Sequence, residues 1–394
     1  MDTLALPTLT ARVARGVAQL AAEEWTALSD GANPFVSHAF LAALEETGCV
    51  GGASGWRPSV VALYDARGLA AAAPSYLKTH SYGEFVFDFA WAQAYGRYGL
   101  AYYPKMIVAA PFTPATGPRL LVRADLARDE HIRRAVQRRL TEALREQANE
   151  HGISSVHLLF HQADEQALLT EPEWLARRDC QFHWTNRGYT DFEHFLASFT
   201  AEKRKKARRE RRRVSEAGVS FRTLHGPDLT AQLLDAVFAL HRDTFVRHGH
   251  EPYLNRRFFG VAARSMGRAL MVKAAMRRDE MIAAAVYFVG ADTLYGRYWG
   301  AGEEFHSLHF ETCYYQGIDY CIEHGLTHFE PGTQGEHKLS RGFEPTLTHS
   351  SHWIADSRFR SAIADFLRRE HAAVDEYADA MRSHVPYRGQ HELP

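Results

Sequence analysis

The spacing of apolar positions divides the chain into helix-like and strand-like segments. Apolar residues recur every three or four positions in three segments, which predicts amphipathic helices at 38–47, 129–150 and 229–246. Short apolar runs predict strands at 59–64, 69–77, 153–160, 270–276 and 281–289. Because helices and strands alternate, the pattern predicts an α/β or α+β fold.

The order of elements in the first half of the chain recurs in the second half. Two predicted hairpins each contain three consecutive alanines in their second strand, at 71–73 and 283–285. The string Tyr-Gly-Arg-Tyr likewise occurs twice, at 95–98 and at 295–298. The repeated order, with these two short matches, predicts one architecture used twice.

Length and composition agree with a folded protein of more than one domain. The chain has 394 residues, of which 46% are hydrophobic and 24% are charged. These proportions exclude a disordered or collagen-like chain, and the length favours two or three domains. We assign the two similar domains to 1–190 and 191–394 and expect a cleft between them.

Charge and cysteine usage limit the partners and the compartment. Lys and Arg number 46 against 47 for Asp and Glu, so a nucleic acid or membrane must be bound by a local patch. The four cysteines form no CxxC pair, which favours a reduced cytosol. No apolar run reaches the roughly 18 residues that a membrane span needs, and the first residues lack the basic flank of a secretion signal. We therefore expect a cytoplasmic protein.

The second half resembles the GCN5-related N-acetyltransferase (GNAT) fold. After its hairpin come a strand at 293–299, a turn, a helix near 310–324, a strand at 326–330 and the segment 337–343. In acetyltransferases a splayed pair of strands receives the acyl donor, and a glycine-rich turn binds the coenzyme A pyrophosphate. Here the turn 303–308 contains two carboxylates, Glu303 and Glu304, and bulky side chains instead. Such a turn binds an anion poorly.

Three segments resemble the Fem group, whose members pair two such domains and use aminoacyl-tRNA as the donor. They are the opening helix with Asn33–Ser37 and Phe40-Leu41, the basic run 199–219, and 338–343. Within that group the strings at 80–84, 102–105 and 111–114 resemble the FemAB-like predicted N-acyltransferases. The resemblance implies two tandem GNAT-like domains with mixed, splayed sheets and flanking helices. It also implies a basic helix at 199–217 that introduces the second domain, and a C-terminal helix.

The resemblance implies an N-acyltransferase that transfers an acyl or aminoacyl group to an amine in the interdomain cleft. Aminoacyl-tRNA is one possible donor, and no other cofactor is expected. Lys338 would stabilise the negative charge that develops on the donor ester, and Glu330 would accept a proton from the amine. Structural roles remain open for both: Lys338 as a cation at a helix end, Glu330 as a cap or ion-pair partner. Two further functions also remain open, namely acyl-CoA-dependent transfer and non-catalytic binding of a nucleic acid or cell-wall precursor.

Substrate-binding residues are predicted in both halves. Arg341 follows Lys338 by three positions, and Arg297 lies in the second Tyr-Gly-Arg-Tyr string. In the aromatic segment 82–103 and just after it, four side chains are candidate anchors for an acyl chain or a sugar: Tyr82, Glu84, Arg97 and Lys105. The alternative is that the aromatic residues form a hydrophobic core.

The basic run at 201–213 is the strongest local charge in the chain. It contains nine Lys or Arg and two Glu, a local charge of +7, which on a helix covers most of the circumference. We expect Arg208, Arg209 and Arg212 to contact tRNA or another phosphate-bearing substrate. The alternative is a solvated helix without a partner.

The sequence contains no pattern for metal, nucleotide or covalent catalysis. The 22 histidines are scattered, no HExxH string occurs, and no metal ion is predicted. A P-loop, a GxGxxG turn after a strand and a GxSxG nucleophile motif are also missing from the sequence. We therefore expect direct attack of an amine on the donor, without a covalent enzyme intermediate.

Overall fold

The computed structural model describes residues 7–29, 31–170, 173–247, 249–303, 305–333 and 335–388. The chain forms two compact units. The first comprises Met1–Asp179 with Thr348–Ala373, and the second comprises Cys180–Leu347 with Val374–Pro394.

This division differs from the predicted domains 1–190 and 191–394. The chain enters the second unit at Cys180 and returns to the first unit over Thr348–Ala373. It returns because residues His349 to Ile354 pair with the strand Ser155–His161 of the first unit. Sequence periodicity could not predict this pairing, since nearly 200 residues separate the two strands.

Helices and strands alternate over much of the chain. The α-helices are α1 Ala22–Thr26, α2 His38–Glu46, α3 Phe89–Arg97, α4 Ala124–Ala127, α5 Glu130–Glu150, α6 Ala163–Gln166, α7 Phe192–Ala197, α8 Ala201–Glu216, α9 Ala231–Arg247, α10 Arg256–Ser265, α11 Leu308–Phe310, α12 Gln316–Glu323 and α13 Ser357–Arg382. A π-helical turn, Glu311–Tyr315, joins α11 to α12. Short 3-10 helices occupy Val17–Gln19, Pro34–Val36, Gly52–Ser54, Gly226–Asp228, Gly267–Ala269 and Glu336–Arg341.

The strands are β1 Thr10–Ala14, β2 Trp56–Pro58, β3 Val60–Asp65, β4 Gly68–Ala73, β5 Ser75–Lys78, β6 Lys105–Val108, β7 Leu121–Val122, β8 Ser155–His161, β9 Leu175–Thr185, β10 Ser220–His225, β11 Leu270–Arg277, β12 Glu280–Val289, β13 Thr293–Ala301, β14 His328–Glu330 and β15 Glu344–Ile354. The predicted mixed α/β fold is confirmed.

The first unit packs helix α5 against its strands. One sheet has the order β1-β3-β4-β7 and is antiparallel throughout. A second set of strands contains β2, β5, β6, β8 and the end of β15, with β6 and β8 parallel. The apolar face of α5 is buried, as its spacing predicts, through Ile132, Val136, Leu140 and Leu144. Asp129 caps this helix by accepting hydrogen bonds from the amides of His131 and Ile132.

The second unit contains a sheet in which two parallel strands pair over a short register. Strands β10 to β13 are antiparallel neighbours, and β13 then pairs in parallel with β14. Their paired register runs only from Thr293 opposite His328 to Tyr295 opposite Glu330. Strand β13 continues to Ala301, whereas β14 ends at Glu330. The pairing of the two strands therefore ends at Glu330, and β13 continues beyond it.

The repeated Tyr-Gly-Arg-Tyr string does not mark equivalent positions. At 95–98 it lies at the end of helix α3, where Trp91 and Tyr95 face the core four residues apart. At 295–298 it lies within strand β13. The two alanine triplets do occupy matching places, since both lie in the second strand of an antiparallel hairpin, β4 and β12. The string alone was therefore a chance match.

Gly300 of β13 makes a close contact that can be tested. A Cβ added there would lie 2.2 Å from the backbone carbonyl carbon and oxygen of Leu240 in α9. We expect Gly300→Ala to destabilise the fold by about 1–3 kcal/mol or more, because the strand cannot move away without disturbing its neighbours. Urea unfolding would measure this as a lower midpoint.

Gly96→Ala is the matched control. Gly96 lies in helix α3, and no atom lies within 4 Å of a Cβ added there. Alanine favours a helix over glycine, so this midpoint should stay unchanged or rise. Equal midpoints for the two variants would contradict the packing described for Gly300.

Candidate functional site

Glu330 and Arg297 lie where the pairing of β13 and β14 ends. Glu330 ends β14 opposite Tyr295, and its side chain is buried. Arg297 lies two residues beyond Tyr295 on β13, at a β-bulge between Gly296, which pairs with Tyr287, and Tyr298, which pairs with Val286. Burial lowers the pKa of Arg297, and the negative charge of Glu330 counteracts this effect. A buried carboxylate and a buried guanidinium therefore interact at the end of the strand pair.

Lys338 reaches the same region from the 3-10 helix Glu336–Arg341. Its Nζ donates a hydrogen bond of 2.6 Å to the carbonyl oxygen of Gly332, two residues after Glu330. The side chain is buried, and burial, followed by the charge of Arg297, lowers the pKa of Lys338 to about 7. The structure thus brings together three residues predicted from sequence: Lys338, Glu330 and Arg297.

The charge of Lys338 acts on two residues that the sequence did not indicate. His183 of β9 is held neutral, because burial and then the charges of Lys338 and Arg297 lower its pKa to about 3. Cys313 lies in the π-helical turn; burial raises its pKa, and the charge of Lys338 opposes that rise. Neither residue belongs to a motif, and neither lies next to Lys338 in sequence. Only the fold could reveal them.

Arg341, another residue predicted from sequence, holds the segment that carries Lys338 in place. Its Nη2 donates to Glu210 of α8 at 2.7 Å, and its Nη1 donates to the carbonyl oxygen of His337 at 2.6 Å. Glu210 also accepts a hydrogen bond of 2.7 Å from the hydroxyl of Tyr315. The side chains of Arg341 and Glu210 are only 3% and 4% exposed. This buried ion pair fixes the 3-10 helix against α8.

Helix α8 has a narrow buried face, and its Lys and Arg residues occupy most of the remaining circumference, as predicted. Ala207, Glu210 and Val214 are buried, and Arg211 is paired with Glu311 and Asp319 at 3.1 and 2.6 Å. The opposite face bears a cationic stripe of five residues that lines a groove of about 360 Å³: Arg204, Lys205, Arg208, Arg209 and Arg212. The three arginines predicted to bind phosphate therefore lie side by side.

In the first unit the structure joins Glu84 to Lys105 in a buried cluster. The Nζ of Lys105 donates to Glu84 at 2.7 Å, to the hydroxyl of Ser81 at 2.9 Å, and also to Asp88. The second lysine, Lys78, lies 3.9 Å from the other oxygen of Glu84. Burial raises the pKa of Glu84 to about 7, and burial lowers the pKa of Lys78 to about 7. The cluster thus sets two buried lysines against two buried carboxylates, and Glu84 and Lys78 both change charge near neutral pH.

Tyr82 and Arg97 are not part of this cluster. The Tyr82 side chain is 64% exposed, although its backbone carbonyl accepts a hydrogen bond of 3.0 Å from Lys78. Arg97 is exposed at the end of α3. Of the four anchors predicted in the aromatic segment, the structure brings only Glu84 and Lys105 together.

Neither a cluster of metal-ligand side chains nor a membrane-crossing helix occurs among the residues that the structure describes. Among those residues no group of three or more His, Cys, Asp or Glu side chains could coordinate a metal ion. Of the helices described, none combines the length and the apolar character that crossing a bilayer requires.

Comparison with known proteins gives the family. The model of the FemAB-like family, described as peptidoglycan biosynthesis/recognition, matches residues 16–389. The chain belongs to the FemAB-like family. This FemAB-like protein is similar in fold to FemX, with a TM-score of 0.55 at 11% identity over 88% of this chain and 98% of FemX. It is also similar to L-PGS from Bacillus licheniformis, with a TM-score of 0.50 at 11% identity over 86% of this chain and 98% of L-PGS.

The family match and the structural neighbours test the family and the fold that were predicted from sequence. The predicted family and the predicted mixed α/β fold are confirmed. At 11% identity the structural neighbours of this FemAB-like protein show the fold alone. A search of curated proteins found no match.

The buried pair of Arg341 and Glu210 yields a stability prediction. Arg341→Met leaves the Glu210 carboxylate buried without its guanidinium, which should cost about 3–5 kcal/mol. The double variant Glu210→Gln, Arg341→Met removes both charges, so it should be more stable than Arg341→Met alone. Urea unfolding midpoints would measure both effects.

The exposed pair of Arg208 and Glu193 is the control. These side chains are 55% and 64% exposed, so Arg208→Met should change the midpoint little. If Arg208→Met lowered the midpoint as much as Arg341→Met does, the buried pair would contribute no more to stability than an exposed pair.

Proposed function

We propose that the protein is an N-acyltransferase of the Fem type, which transfers an acyl or aminoacyl group to an amine. The observation that carries the proposal is the placement of Lys338, Gly332 and Glu330 at the end of the β13–β14 pair. An ammonium has three donors, so Lys338 can hold the Gly332 carbonyl and still donate to a developing oxyanion. Membership in the FemAB-like family supports the same reaction class.

The reaction requires a base and a stabilised oxyanion. The acceptor ammonium first loses a proton to Glu330, directly or through water. The neutral nitrogen then attacks the carbonyl carbon of the donor ester, a C–N bond forms, and the negative charge on oxygen is stabilised by Lys338. When the intermediate collapses, the C–O bond breaks and the leaving alkoxide takes the second proton from nitrogen. The products are an amide and an alcohol.

Aminoacyl-tRNA fits the structure better than acyl-CoA as the donor. The turn before the π-helical segment contains Glu303, which pairs with Arg277, while Glu304 lies outside the described residues. The helical stretch that follows runs from Leu308 through the π-helical turn to Glu323, and buried Glu311 lies in its first turn. A carboxylate at this position disfavours a pyrophosphate at the helix N-terminus. The cationic stripe of α8 instead offers a surface for the phosphates of a tRNA.

Binding without catalysis is the second candidate, because the cationic stripe alone would hold a nucleic acid or a phosphate-bearing cell-wall precursor. Its five cations do not depend on Lys338 or Glu330. The following two predictions separate the two functions.

Lys338 should control the rate and its pH dependence. With a pool of radiolabelled aminoacyl-tRNA and a muropeptide precursor bearing a free amine, we expect Lys338→Met to lower transfer roughly 10²-fold or more. Because burial lowers the pKa of Lys338 to about 7, the ammonium fraction falls above that pH. Lys338→Arg keeps its charge and should therefore decline less between pH 7 and 9 than the unchanged protein. Unaltered rates in both Lys338→Met and Glu330→Gln would refute the proposed catalytic site.

The cationic stripe should control binding of the donor. Charge reversal at Arg208, Arg209 and Arg212 should weaken tRNA binding and reduce its dependence on salt, since each lost phosphate contact lowers the slope by about 0.7–0.9. Reversal of three exposed arginines elsewhere, Arg128, Arg138 and Arg369, is the control and should have little effect. Thiol release from acetyl-CoA, measured in parallel, should stay at background; release that requires Lys338 would assign coenzyme A as the donor.

A further inference from the structure

The second unit contains a cavity that the proposed reaction does not use. It has a volume of about 490 Å³ and lies between the beginning of α9 and helix α10. Its lining includes neither Lys338, Glu330 and Arg297 nor any residue of the cationic stripe. The volume is in the range of sites for small molecules.

Two guanidinium groups converge on this cavity. Arg256, Gly260 and Arg264 follow one another at four-residue spacing on α10, so they share one face of the helix. A Cβ added to Gly260 would lie 3.2 Å from Nη1 of Arg256 and 3.8 Å from Nη1 of Arg264. The glycine thus leaves an open floor between two cationic groups. Like charges at such close range repel each other unless an anion lies between them.

Arg256 is held in place by two bonds that leave Nη1 directed at this floor. Its Nε donates to Asp235 at 2.6 Å, and its Nη2 donates to the backbone carbonyl of Ala231 at 3.1 Å. A guanidinium fixed at two nitrogens loses little freedom when the third binds a ligand. Within the described ranges, no carboxylate lies in ion-pair contact with Arg264, whose charge remains available.

The remaining wall favours an anion that carries a small apolar group. Helix α9, which has 17 residues, begins at Ala231 on the edge of the cavity, and the positive end of its dipole adds to the two arginines. Pro227, Leu229 and Leu234 provide apolar surface beside them. Asp235 offsets part of the charge of Arg256. The carboxylate of Asp228 accepts a hydrogen bond from the amide of His225.

We propose that this cavity binds a small organic phosphate monoester. The phosphate would lie over Gly260, between the Nη1 atoms of Arg256 and Arg264, and the ester group would contact the apolar wall. A phosphate dianion matches two guanidinium groups and a helix N-terminus better than a carboxylate does, because it carries more charge on more acceptor oxygens. This binding site is independent of the proposed acyl transfer.

Phenyl phosphate and benzoate test the proposal, since they share an aromatic ring and differ in the anionic group. Isothermal titration of the full chain should detect phenyl phosphate and should find benzoate at least about tenfold weaker. Arg264→Gln, an exposed position, should lower the affinity for phenyl phosphate about tenfold or more. Arg222→Gln, at an exposed position of β10 outside the cavity, should leave it unchanged.

Gly260→Ala separates binding from folding. Alanine favours the interior of α10, which offsets the cost of moving Arg256, so the thermal stability should stay close to that of the unchanged chain. The added methyl group, 3.2 Å from Nη1 of Arg256, would displace this nitrogen and weaken binding. No heat of binding in the unchanged chain would overturn the proposal, as would equal affinities for Arg264→Gln and Arg222→Gln. Tighter binding of benzoate than of phenyl phosphate would overturn the assignment to phosphate monoesters.

Discussion

The ion pair between Arg341 and Glu210 decides where the 3-10 helix Glu336–Arg341 lies. A charge that is almost completely buried must meet an opposite charge, and here each partner comes from a different part of the chain. Glu210 also accepts a hydrogen bond from the hydroxyl of Tyr315, so the hydrogen-bond network extends to the π-helical turn. Lys338 lies within the segment that this pair holds, and its contact with Gly332 follows from that position. The candidate site thus depends on a pair that does not itself touch a substrate.

Lys105 and Lys338 are both buried, and their neighbours determine the pKa of each. Burial alone would lower the pKa of Lys105, but the charges of Glu84 and Asp88 outweigh it and raise that pKa. Lys338 has a backbone carbonyl as its partner and the charge of Arg297 nearby, and its pKa falls to about 7. Lys105 is therefore a permanent cation in a structural cluster. Lys338, like Lys78 in the first unit, changes its charge near neutral pH.

The sequence predicted those features that depend on local pattern. Helix α5 has the expected apolar face, and the strand that ends in Glu330 leads directly to Gly332. Contacts over long sequence separations were beyond such reasoning. His183 and Cys313 belong to no motif, and Glu210 lies in the basic run but meets Arg341 only through the fold. Arg341 followed Lys338 at the right spacing for a shared face, yet its charge is used within the protein. The spacing of residues predicts the face of a helix from which a side chain projects. It does not predict which residue a buried charge will pair with.

The order in which the two units share the chain has a consequence for protein synthesis. Strand β8 receives its neighbour β15 only when residues after Thr348 have been made. At about 5–20 residues per second, a ribosome needs on the order of ten seconds or longer to reach them. During that interval β8 presents an open edge of unpaired backbone groups, which invites association with other nascent chains. The edge of β8 is therefore covered only late in translation, when β15 becomes available to pair with it.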